Sequence, residues 1–564
     1  MKYTGSRIII ETLIEQGVDV VFGYPGGAIM PLYDVLYDAP LRHILTVHEQ
    51  GAAHAADGYA RASGKVGVCI ATSGPGATNL VTGLATAFMD SVPLVAITGQ
   101  VGTSLLGRDA FQEIDITGLT MPITKHSFLV RSVSDLAGIV RNAFAIALEG
   151  RPGPVLIDVP RDILLAEAFF TISQPLPSQV KPADYLQKTI DYKSNSAEID
   201  KALAALLKAK RPVLLTGGGI IRAGASAEVI NFCQKYPIPI TSTLMGLGSL
   251  PPDFAYYLGL TGMHGHKAAN LTVVAADLII AVGSRFSDRV TGDRQRYTEG
   301  KTIIHLDVDA AEIGKNVDTD VVIVGKLQDS LKTLSRLICL HPSMDHSLWL
   351  QQVADWQEQH HSVPDETRLN PVWIMKYLSS ATTGQSVTWI SDVGQHQMWA
   401  AQHLRIERPG SWLTSGGLGT MGFGLPAGLG AQLSCPDARA IVIAGDGGFK
   451  MTAMELFTAA VENIPVICVI LNNCALGMVR QWQHLFFNRR YSATNIPAFD
   501  FVNLAHSCGV PGSVANTTDE FSAAFVQALT IKGPSVLIAN ISPNFMVEPM
   551  VQPGQPINNF VSMD

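Results

Sequence analysis

Two oxygen-bearing side chains give the clearest chemical signal in this chain. Asp446 lies between two glycines, and Asn473 follows 27 positions later (473 − 446 = 27). The apolar residues 440–444 and 465–471 that precede them predict two buried parallel strands. Ligands of open α/β sheets bind at the carboxyl ends of such strands, so both side chains are expected at one edge. They would suit Mg²⁺ and a bound diphosphate there, although an ordinary glycine turn with an Asn-Asn loop is the alternative interpretation.

Glu49 is the candidate for a group that moves a proton. It follows the apolar residues 44–47 and begins an alanine-rich stretch, residues 49–61, that predicts a helix. A general base needs a poised and partly desolvated position. The local sequence alone favours a simpler role, because a carboxylate at a helix N-terminus is stabilised by the helix dipole.

Two further loops are candidates for contacts with a diphosphate. The first follows an apolar strand predicted at residues 386–390 and contains Gln395 and His396, whose side chains can donate to phosphate oxygens. The second, residues 416–424, is too rich in glycine to be a good helix and contains Met421. By itself that methionine is equally typical of a core position.

The elements that must position these residues repeat three times along the chain. Each repeat has an apolar strand, a glycine-rich turn, a helix and a strand that begins with proline, with glycine-to-proline spacings of 93 − 74 = 19, 237 − 218 = 19 and 465 − 445 = 20. Such alternation indicates parallel sheets covered on both faces. We therefore expect an α/β protein of three doubly wound parallel-sheet domains. They are expected at residues 1–175, 190–342 and 368–550, with linkers near 174–193 and 341–370.

Composition excludes several classes of function. The 564 residues suggest about three to four domains, and 47% hydrophobic with 16% charged residues gives ample material for large cores. A net charge of −8 argues against nucleic-acid binding. The seven cysteines lack paired spacing, which indicates reduced thiols. The chain has no 18-residue apolar run and no leader-like segment, so we expect a cytoplasmic protein without a membrane span.

Taken together, the motifs resemble the thiamine-diphosphate enzymes, and most closely the acetohydroxyacid synthase (acetolactate synthase) catalytic large-subunit family. The resemblance covers nearly the whole chain. Besides the segments above, it rests on residues 22–27, 73–79, 109–113, 125–128 and 477–482.

The resemblance implies roles for the residues already singled out. Glu49 is expected to hydrogen-bond the aminopyrimidine ring of thiamine diphosphate and so promote loss of the proton from its thiazolium carbon. Gln112 and Lys125 are expected to line the catalytic site, with Phe111 packed against the substrate. Mg²⁺ is expected on Asp446, Asn473 and the backbone carbonyl of Ala475. The other expected contacts with thiamine diphosphate are Gly394, Gln395, His396, Gly419, Met421, Gly447, Gly448, Ala475, Gly477 and Met478.

The resemblance also implies flavin adenine dinucleotide (FAD), bound without a required net redox change. Its expected contacts are Gly262, Met263, His264, Gly283, Arg285, Asp307 and Asp309. Arg289 is expected to bind the carboxylate of the acceptor keto acid as well, since a planar guanidinium suits that bidentate task. Trp482 is expected to favour the bulkier acceptor. By themselves these two residues are also typical of a surface Arg–Asp pair and of a packing aromatic. One position departs from the family pattern, because Ser287 stands where an acidic residue is usual.

The implied activity is a thiamine-diphosphate-dependent carboligation in branched-chain amino acid biosynthesis. Pyruvate is decarboxylated, and its hydroxyethyl unit is joined to a second pyruvate, giving 2-acetolactate, or to 2-oxobutanoate, giving 2-aceto-2-hydroxybutanoate. A flavin-dependent pyruvate oxidase, a flavin-free catabolic acetolactate synthase and a non-catalytic regulatory relative are the alternatives. We expect a homodimer or tetramer in which each site takes Glu49 from one subunit and Asp446 from its partner. The sequence leaves the need for a small regulatory subunit open.

Overall fold

The computed structural model describes residues 1–171, 196–342, 344–360 and 368–562. It contains the three expected parallel six-stranded sheets, each flanked by helices, so the predicted fold class is confirmed. The predicted linker at 174–193 and the domain limits at 175 and 190 lie outside the described residues. The exact domain boundaries therefore stay predictions.

The two central strands of the N-terminal sheet, Gly67–Ala71 and Leu94–Gln100, are buried along their whole length. Its strands, in spatial order, are Arg42–Leu45, Val20–Gly23, Gly67–Ala71, Leu94–Gln100, Pro154–Pro160 and His126–Leu129. Its α-helices are Gly5–Glu15, Met30–Leu36, Glu49–Ser63, Pro75–Asn79, Val81–Met89, Ile116–Thr120, Leu136–Leu148 and Arg161–Leu165. A short antiparallel pair, Lys2–Thr4 with Glu167–Phe169, closes one end of this domain.

The central sheet is built in the same way. Its strands, in spatial order, are Tyr257–Leu260, Ile240–Ser242, Pro212–Thr216, Leu278–Val282, Thr302–Asp307 and Val321–Val324. Its α-helices are Ser196–Lys208, Gly218–Ala223, Ser226–Lys235, Lys267–Ala275, Asp288–Thr291, Arg294–Thr298 and Leu327–Ile338.

The stretch at 341–370, expected to be a linker, contains the helix Ser347–Gln359. Trp349 anchors this helix to the central domain, because its indole Nε1 donates a 3.0 Å hydrogen bond to the carbonyl of Pro212. The stretch expected to be a linker therefore contains a helix that contacts the central domain.

The C-terminal sheet carries the Asp446 turn. Its strands, in spatial order, are Trp412–Thr414, Val387–Ser391, Arg439–Gly445, Ile467–Asn472, Ser535–Asn540 and Gly512–Ala515. Its α-helices are Pro371–Ala381, Gln395–His403, Gly424–Ser434, Asp446–Thr452, Glu455–Val461, Gly477–Phe486, Phe501–Ser507 and Thr518–Thr530. In the described ranges, no helix combines the length and the apolar character needed to cross a membrane.

The N-terminal and C-terminal domains pack through two small-residue helices, Glu49–Ser63 and Gly424–Ser434. A Cβ atom on Gly58 would lie 2.0 Å from the carbonyl oxygen of Ala427, and one on Gly430 would lie 1.8 Å from that of Ala55. Real Cβ atoms do not approach so closely, so glycine is required at both crossings. This close contact fixes the helix that begins at Glu49 against the domain that carries Asp446.

Candidate active site

Asp446 and Asn473 meet at the carboxyl ends of two neighbouring parallel strands. Gly445 pairs with Leu471 in the sheet, which brings both following turns to the same edge. Burial raises the pKa of Asp446 to about 6, and the positive charge of Lys450 only partly opposes that shift. The Asn473 Oδ1 atom in turn accepts a 3.1 Å hydrogen bond from the backbone N–H of Ala475.

This arrangement offers a cation only part of an oxygen cage. Among the residues that the structure describes, no group of three or more His, Cys, Asp and Glu side chains is arranged to hold a metal ion. A hard cation here would combine the Asp446 carboxylate with amide and carbonyl oxygens and with oxygens of its ligand, as Mg²⁺ does at phosphate sites.

A buried amide network forms one wall beside Asn473. Gln395 Oε1 lies 3.5 Å from Asn473 Nδ2, and Gln395 Nε2 donates to Gln481 Oε1 at 2.8 Å and to the Phe545 carbonyl at 3.0 Å. A Cβ atom on Gly477 would lie 2.0 Å from Gln395 Oε1, so only glycine fits there. The Gln395 amide is thus held in place by hydrogen bonds to other protein groups.

His396 has the opposite character, because one of its ring nitrogens has no partner. Nε2 is buried and makes no hydrogen bond to any described residue. Burial lowers the pKa of His396 to about 4. The ring lies against the Asp446 turn, since a Cβ on Gly445 would be 2.9 Å from its Nδ1. An orphaned buried ring nitrogen beside a glycine turn is where a ligand atom is expected.

Asp392 holds this half of the site together, and the sequence analysis did not single it out. Its buried carboxylate accepts 3.0 Å hydrogen bonds from the backbone N–H groups of Gly422 and Gly424. A Cβ atom on Gly448 would lie 2.6 Å from Asp392 Oδ1. A signal was present, because Asp392 follows a buried strand just as Asp446 does.

The loop at 416–424 places Met421 next to the Asp446 turn. The Met421 Cε atom lies 3.6 Å from where a Cβ on Gly447 would be. Gly419 has a φ of +73°, in the left-handed region that favours glycine. Met421 therefore lies against the Asp446 turn, and its role toward a cofactor stays a prediction.

Glu49 is the first residue of its helix, and the residue is 9% exposed. Asn79 Nδ2 donates a 2.9 Å hydrogen bond to Glu49 Oε2. A Cβ on Gly76 would lie 3.1 Å from Glu49 Oε1. Gln112 is near the same loop, because a Cβ on Gly74 would lie 2.9 Å from its carbonyl oxygen.

The other two predicted site residues of the N-terminal domain are Phe111 and Lys125. Phe111 is 88% exposed. The Lys125 ammonium donates to the carbonyls of Ile146 and Glu149 at the end of helix Leu136–Leu148, and burial lowers its pKa to about 8. Their predicted roles at the site remain predictions.

The residues predicted to bind a flavin cluster at the carboxyl edge of the central sheet. Gly262 has a φ of +107° and contacts Arg289, whose carbonyl accepts a 2.8 Å hydrogen bond from the Met263 N–H. Gly283 crosses the Gly219 backbone so closely that a Cβ on it would lie 2.6 Å from the Gly219 Cα. Beside it, the Ser284 hydroxyl oxygen is buried without a partner among the described residues.

Three of the remaining flavin candidates, Arg285, Asp307 and Asp309, have protein partners. Arg285 donates a 2.6 Å hydrogen bond to the Met89 carbonyl of the N-terminal domain. The Asp309 N–H donates to Asp307 Oδ1 at 2.9 Å, and burial raises the pKa of Asp307 to about 6. Asp309 lies 3.7 Å from Arg151. The Nδ1 atom of His264 is buried and has no partner among the described residues.

Arg289 and Trp482 come together from different domains. The Arg289 guanidinium carbon lies 5.8 Å from the Trp482 ring centroid, within the range of a cation–π contact. The Arg289 side chain remains 56% exposed, and its ion pair with Asp288 is long, at 3.8 Å. Ser287 precedes this short helix as its N-cap residue, without a side-chain capping bond. A cleft of about 740 Å³ runs along the Trp482 face of helix Gly477–Phe486.

Comparison with known proteins identifies the family. Three models match: "Thiamine pyrophosphate enzyme, N-terminal TPP binding domain" at residues 3–119, the central domain at 199–334 and the C-terminal TPP binding domain at 392–539. The chain is 46% identical to the acetolactate synthase isozyme 2 large subunit of Escherichia coli, covering 98% of each chain. It is 45% identical to the probable acetolactate synthase large subunit of Methanocaldococcus jannaschii, covering 99% of this chain and 95% of that one.

This chain belongs to the acetolactate synthase large-subunit family of thiamine pyrophosphate enzymes. A third relative, the acetolactate synthase of Mycobacterium bovis, is 44% identical over 98% of this chain and 90% of its own. The family cofactor, thiamine diphosphate, fits the residues present. This fit rests on the unpartnered, buried His396 Nε2 and on the side-chain-free Gly445 next to the same ring. In the central domain, the buried Ser284 hydroxyl and His264 Nδ1 likewise have no partner among the described residues.

Proposed function

We propose that the chain is the catalytic subunit of a biosynthetic acetolactate synthase, acting on pyruvate with pyruvate or 2-oxobutanoate as acceptor. The observation that carries the proposal is the pairing of Arg289 with Trp482, which lies on the helix that follows the Asn473 turn. A half-exposed guanidinium is available for a keto-acid carboxylate, and the aromatic face beside it supplies an apolar wall for the acceptor's alkyl group.

Thiamine diphosphate, when bound, supplies the electron sink that allows a 2-keto acid to lose carbon dioxide. Asp446, Asn473 and the Ala475 carbonyl would hold Mg²⁺, and His396 with the glycine backbone would hold the diphosphate. Met421 would fix the shape of the cofactor from above Gly447.

Glu49 would hold a proton at its carboxylate against the pyrimidine side of the cofactor. Its near-complete burial raises the strength of such a hydrogen bond, since it is not competed by water. The Asn79 amide fixes the rotamer by donating to the second oxygen, which leaves Oε1 toward Gly76. Gln112 borders the same loop and is proposed to contact the substrate.

FAD is proposed to bind at the central domain through the Gly262 and Gly283 turns. The purified protein should then be yellow, and acetolactate should form without net flavin reduction. A colourless preparation with full activity would instead identify a flavin-free catabolic enzyme. Oxidant consumption in proportion to turnover would identify a pyruvate oxidase.

The active site is proposed to be shared between two chains, in a homodimer or a tetramer of such dimers. Exposed apolar side chains support this assembly. In addition to Phe111, four of them follow the Asp446 turn in the chain: Met451, Met454, Phe457 and Val461. Exposed apolar side chains in such number are typical of a protein–protein interface. We propose a cytoplasmic enzyme that a small regulatory subunit also binds.

Product analysis tests the reaction, and mixed dimers test the shared site. Pyruvate alone should give 2-acetolactate, and added 2-oxobutanoate should give 2-aceto-2-hydroxybutanoate as well. Co-expression of Glu49→Gln and Asp446→Ala chains should restore activity, because one of the two sites in a mixed dimer then has both native groups. Confirmed hetero-association without recovered activity would place the site within a single chain.

A further inference from the structure

The turn that carries Glu49 is held by a carboxylate from the other end of the chain. Glu455 begins helix Glu455–Val461 of the C-terminal domain, and its side chain is buried. Its Oε1 accepts 3.2 Å hydrogen bonds from the backbone N–H groups of Val47 and His48. Its Oε2 also lies 3.2 Å from the Val47 nitrogen. These two peptide groups immediately precede Glu49.

The surroundings of Glu455 are built around this contact. Thr458 Oγ1 lies 2.8 Å from Glu455 Oε2 and 3.2 Å from the carbonyl oxygen of Leu45, where the preceding strand ends. A Cβ atom on Gly51 would lie 2.1 Å from Glu455 Oε1, so the first helical turn has room for the carboxylate only because residue 51 is glycine. A negative charge at this end of helix Glu49–Ser63 is also favoured by its dipole.

We propose that Glu455 is a positioning residue for Glu49. It accepts the N–H groups of residues 47 and 48 and thereby sets the angle at which the chain enters the helix, which in turn directs the Glu49 carboxylate. Glu455 itself has its oxygens occupied by these groups and by Thr458, so it takes no part in proton transfer. A displacement of about 1 Å at a reacting group can cost roughly 10²-fold in rate.

This inference rests on the proposed function, so its test includes a readout that needs no turnover. Amide hydrogen exchange of the peptide covering residues 44–50, measured on the full-length holoenzyme, should lose protection in Glu455→Ala. Protection should persist in Glu455→Gln, because the amide oxygen still accepts the two N–H groups and its NH₂ donates to Thr458. Unchanged exchange in Glu455→Ala would overturn the inference even if the wild type made no acetolactate.

Kinetics separate positioning from a loss of general stability. Glu455→Ala should lower kcat for acetolactate formation about 10-fold or more, with KM for pyruvate within roughly 3-fold, and Glu455→Gln should restore most of kcat. Glu15→Ala is the matched control. It removes another buried carboxylate of the chain, one paired with Arg141 at 2.7 Å, and should lower thermal stability while leaving kcat unchanged.

A double-mutant cycle with Glu49→Gln decides the question. If Glu455 acts through Glu49, adding Glu455→Ala to Glu49→Gln should slow the enzyme by no more than about 3-fold further, because the positioned group is already lost. A full additional 10-fold loss in that background would show that Glu455 acts independently of Glu49. Equal damage from Glu455→Gln and Glu455→Ala would overturn the role of the accepted hydrogen bonds.

Discussion

Replacing Asp158 with asparagine should stabilise the protein increasingly as pH rises. Asp158 is a buried carboxyl on strand Pro154–Pro160, paired in register with Thr98. Thr98 Oγ1 donates to one oxygen at 2.7 Å and Gln100 Nε2 to the other at 2.9 Å. The same Gln100 amide donates to the Ile114 carbonyl at 2.8 Å. The carboxyl therefore supports the loop on which Gln112 lies.

The magnitude follows from its pKa. Burial raises the pKa of Asp158 from 3.8 to about 7, and the two donated hydrogen bonds only partly oppose this. A shift of about 3 units is equivalent to roughly 4 kcal/mol. Because the folded-state pKa lies above the unfolded value, the folded protein binds the extra proton, and its stability falls as pH rises from about 4 to about 7. About 2–3 kcal/mol of this loss falls between pH 5 and pH 8.

Asparagine removes the charge and keeps the hydrogen bonds, since its NH₂ can donate to Thr98 Oγ1 while its oxygen accepts from Gln100. Urea unfolding midpoints of Asp158→Asn and wild type, monitored at pH 5, 6, 7 and 8, should diverge in favour of the variant at high pH. Asp34→Asn removes a carboxylate from an exposed position of the same domain and is the control. A difference between Asp158→Asn and wild type that is constant or shrinks with pH would refute the reasoning.

Three further predictions concern the active site. Glu49→Gln should slow carboligation by about 10²-fold or more while leaving binding of Mg²⁺ and the diphosphate largely intact; near-wild-type turnover at saturating cofactor would remove Glu49 from the mechanism. Asp446→Ala should weaken metal-dependent binding of thiamine diphosphate to the apoprotein, because the oxygen cage loses its only charged protein ligand; an unchanged dissociation constant in titration would contradict this. Trp482→Leu should shift competition between 2-oxobutanoate and pyruvate roughly tenfold toward pyruvate, since one apolar contact is worth about 1–3 kcal/mol. An unchanged product ratio in Trp482→Leu would leave Trp482 as a packing residue.

The fold and the Asp446–Asn473 pairing were predictable because their signals are local. A continuous apolar strand followed by a glycine turn determines which edge of a parallel sheet the turn occupies, wherever the rest of the chain lies. Strand register then brings Asn473 next to Asp446 without further information. The helix beginning at Glu49 was likewise evident from its alanine-rich sequence.

The supporting residues were not predictable, because their partners are distant in sequence. Glu455 bonds Val47 across 408 positions, and Gln481 joins Gln395 to the Val547 backbone across 86 and 66 positions. A single sequence shows each as one polar residue on an amphipathic helix, which is most often solvent-exposed. The carbonyl partners of Lys125 were not predictable for the same reason, since they end a helix that follows it in the chain.

Four buried charges show how the domains depend on each other. Arg61 pairs with Asp57 at 2.5 Å and with Asp90 at 3.0 Å, and all three side chains are at most 5% exposed. Arg222 of the central domain donates to the Asp90 carbonyl at 2.9 Å. The two positive and two negative groups balance, and this matters because an unpaired charge in such a place costs about 3–5 kcal/mol.

Asp90 also reaches the loop that carries Met421. Its two carboxylate oxygens accept hydrogen bonds from the backbone N–H groups of Gly416, at 3.0 Å, and Gly417, at 2.8 Å. Both N–H groups belong to the C-terminal domain, whereas Arg222 belongs to the central one. Asp90, at the end of a helix in the N-terminal domain, therefore fixes a loop proposed to contact thiamine diphosphate. Its backbone carbonyl also contacts Arg222, in the domain proposed to bind FAD.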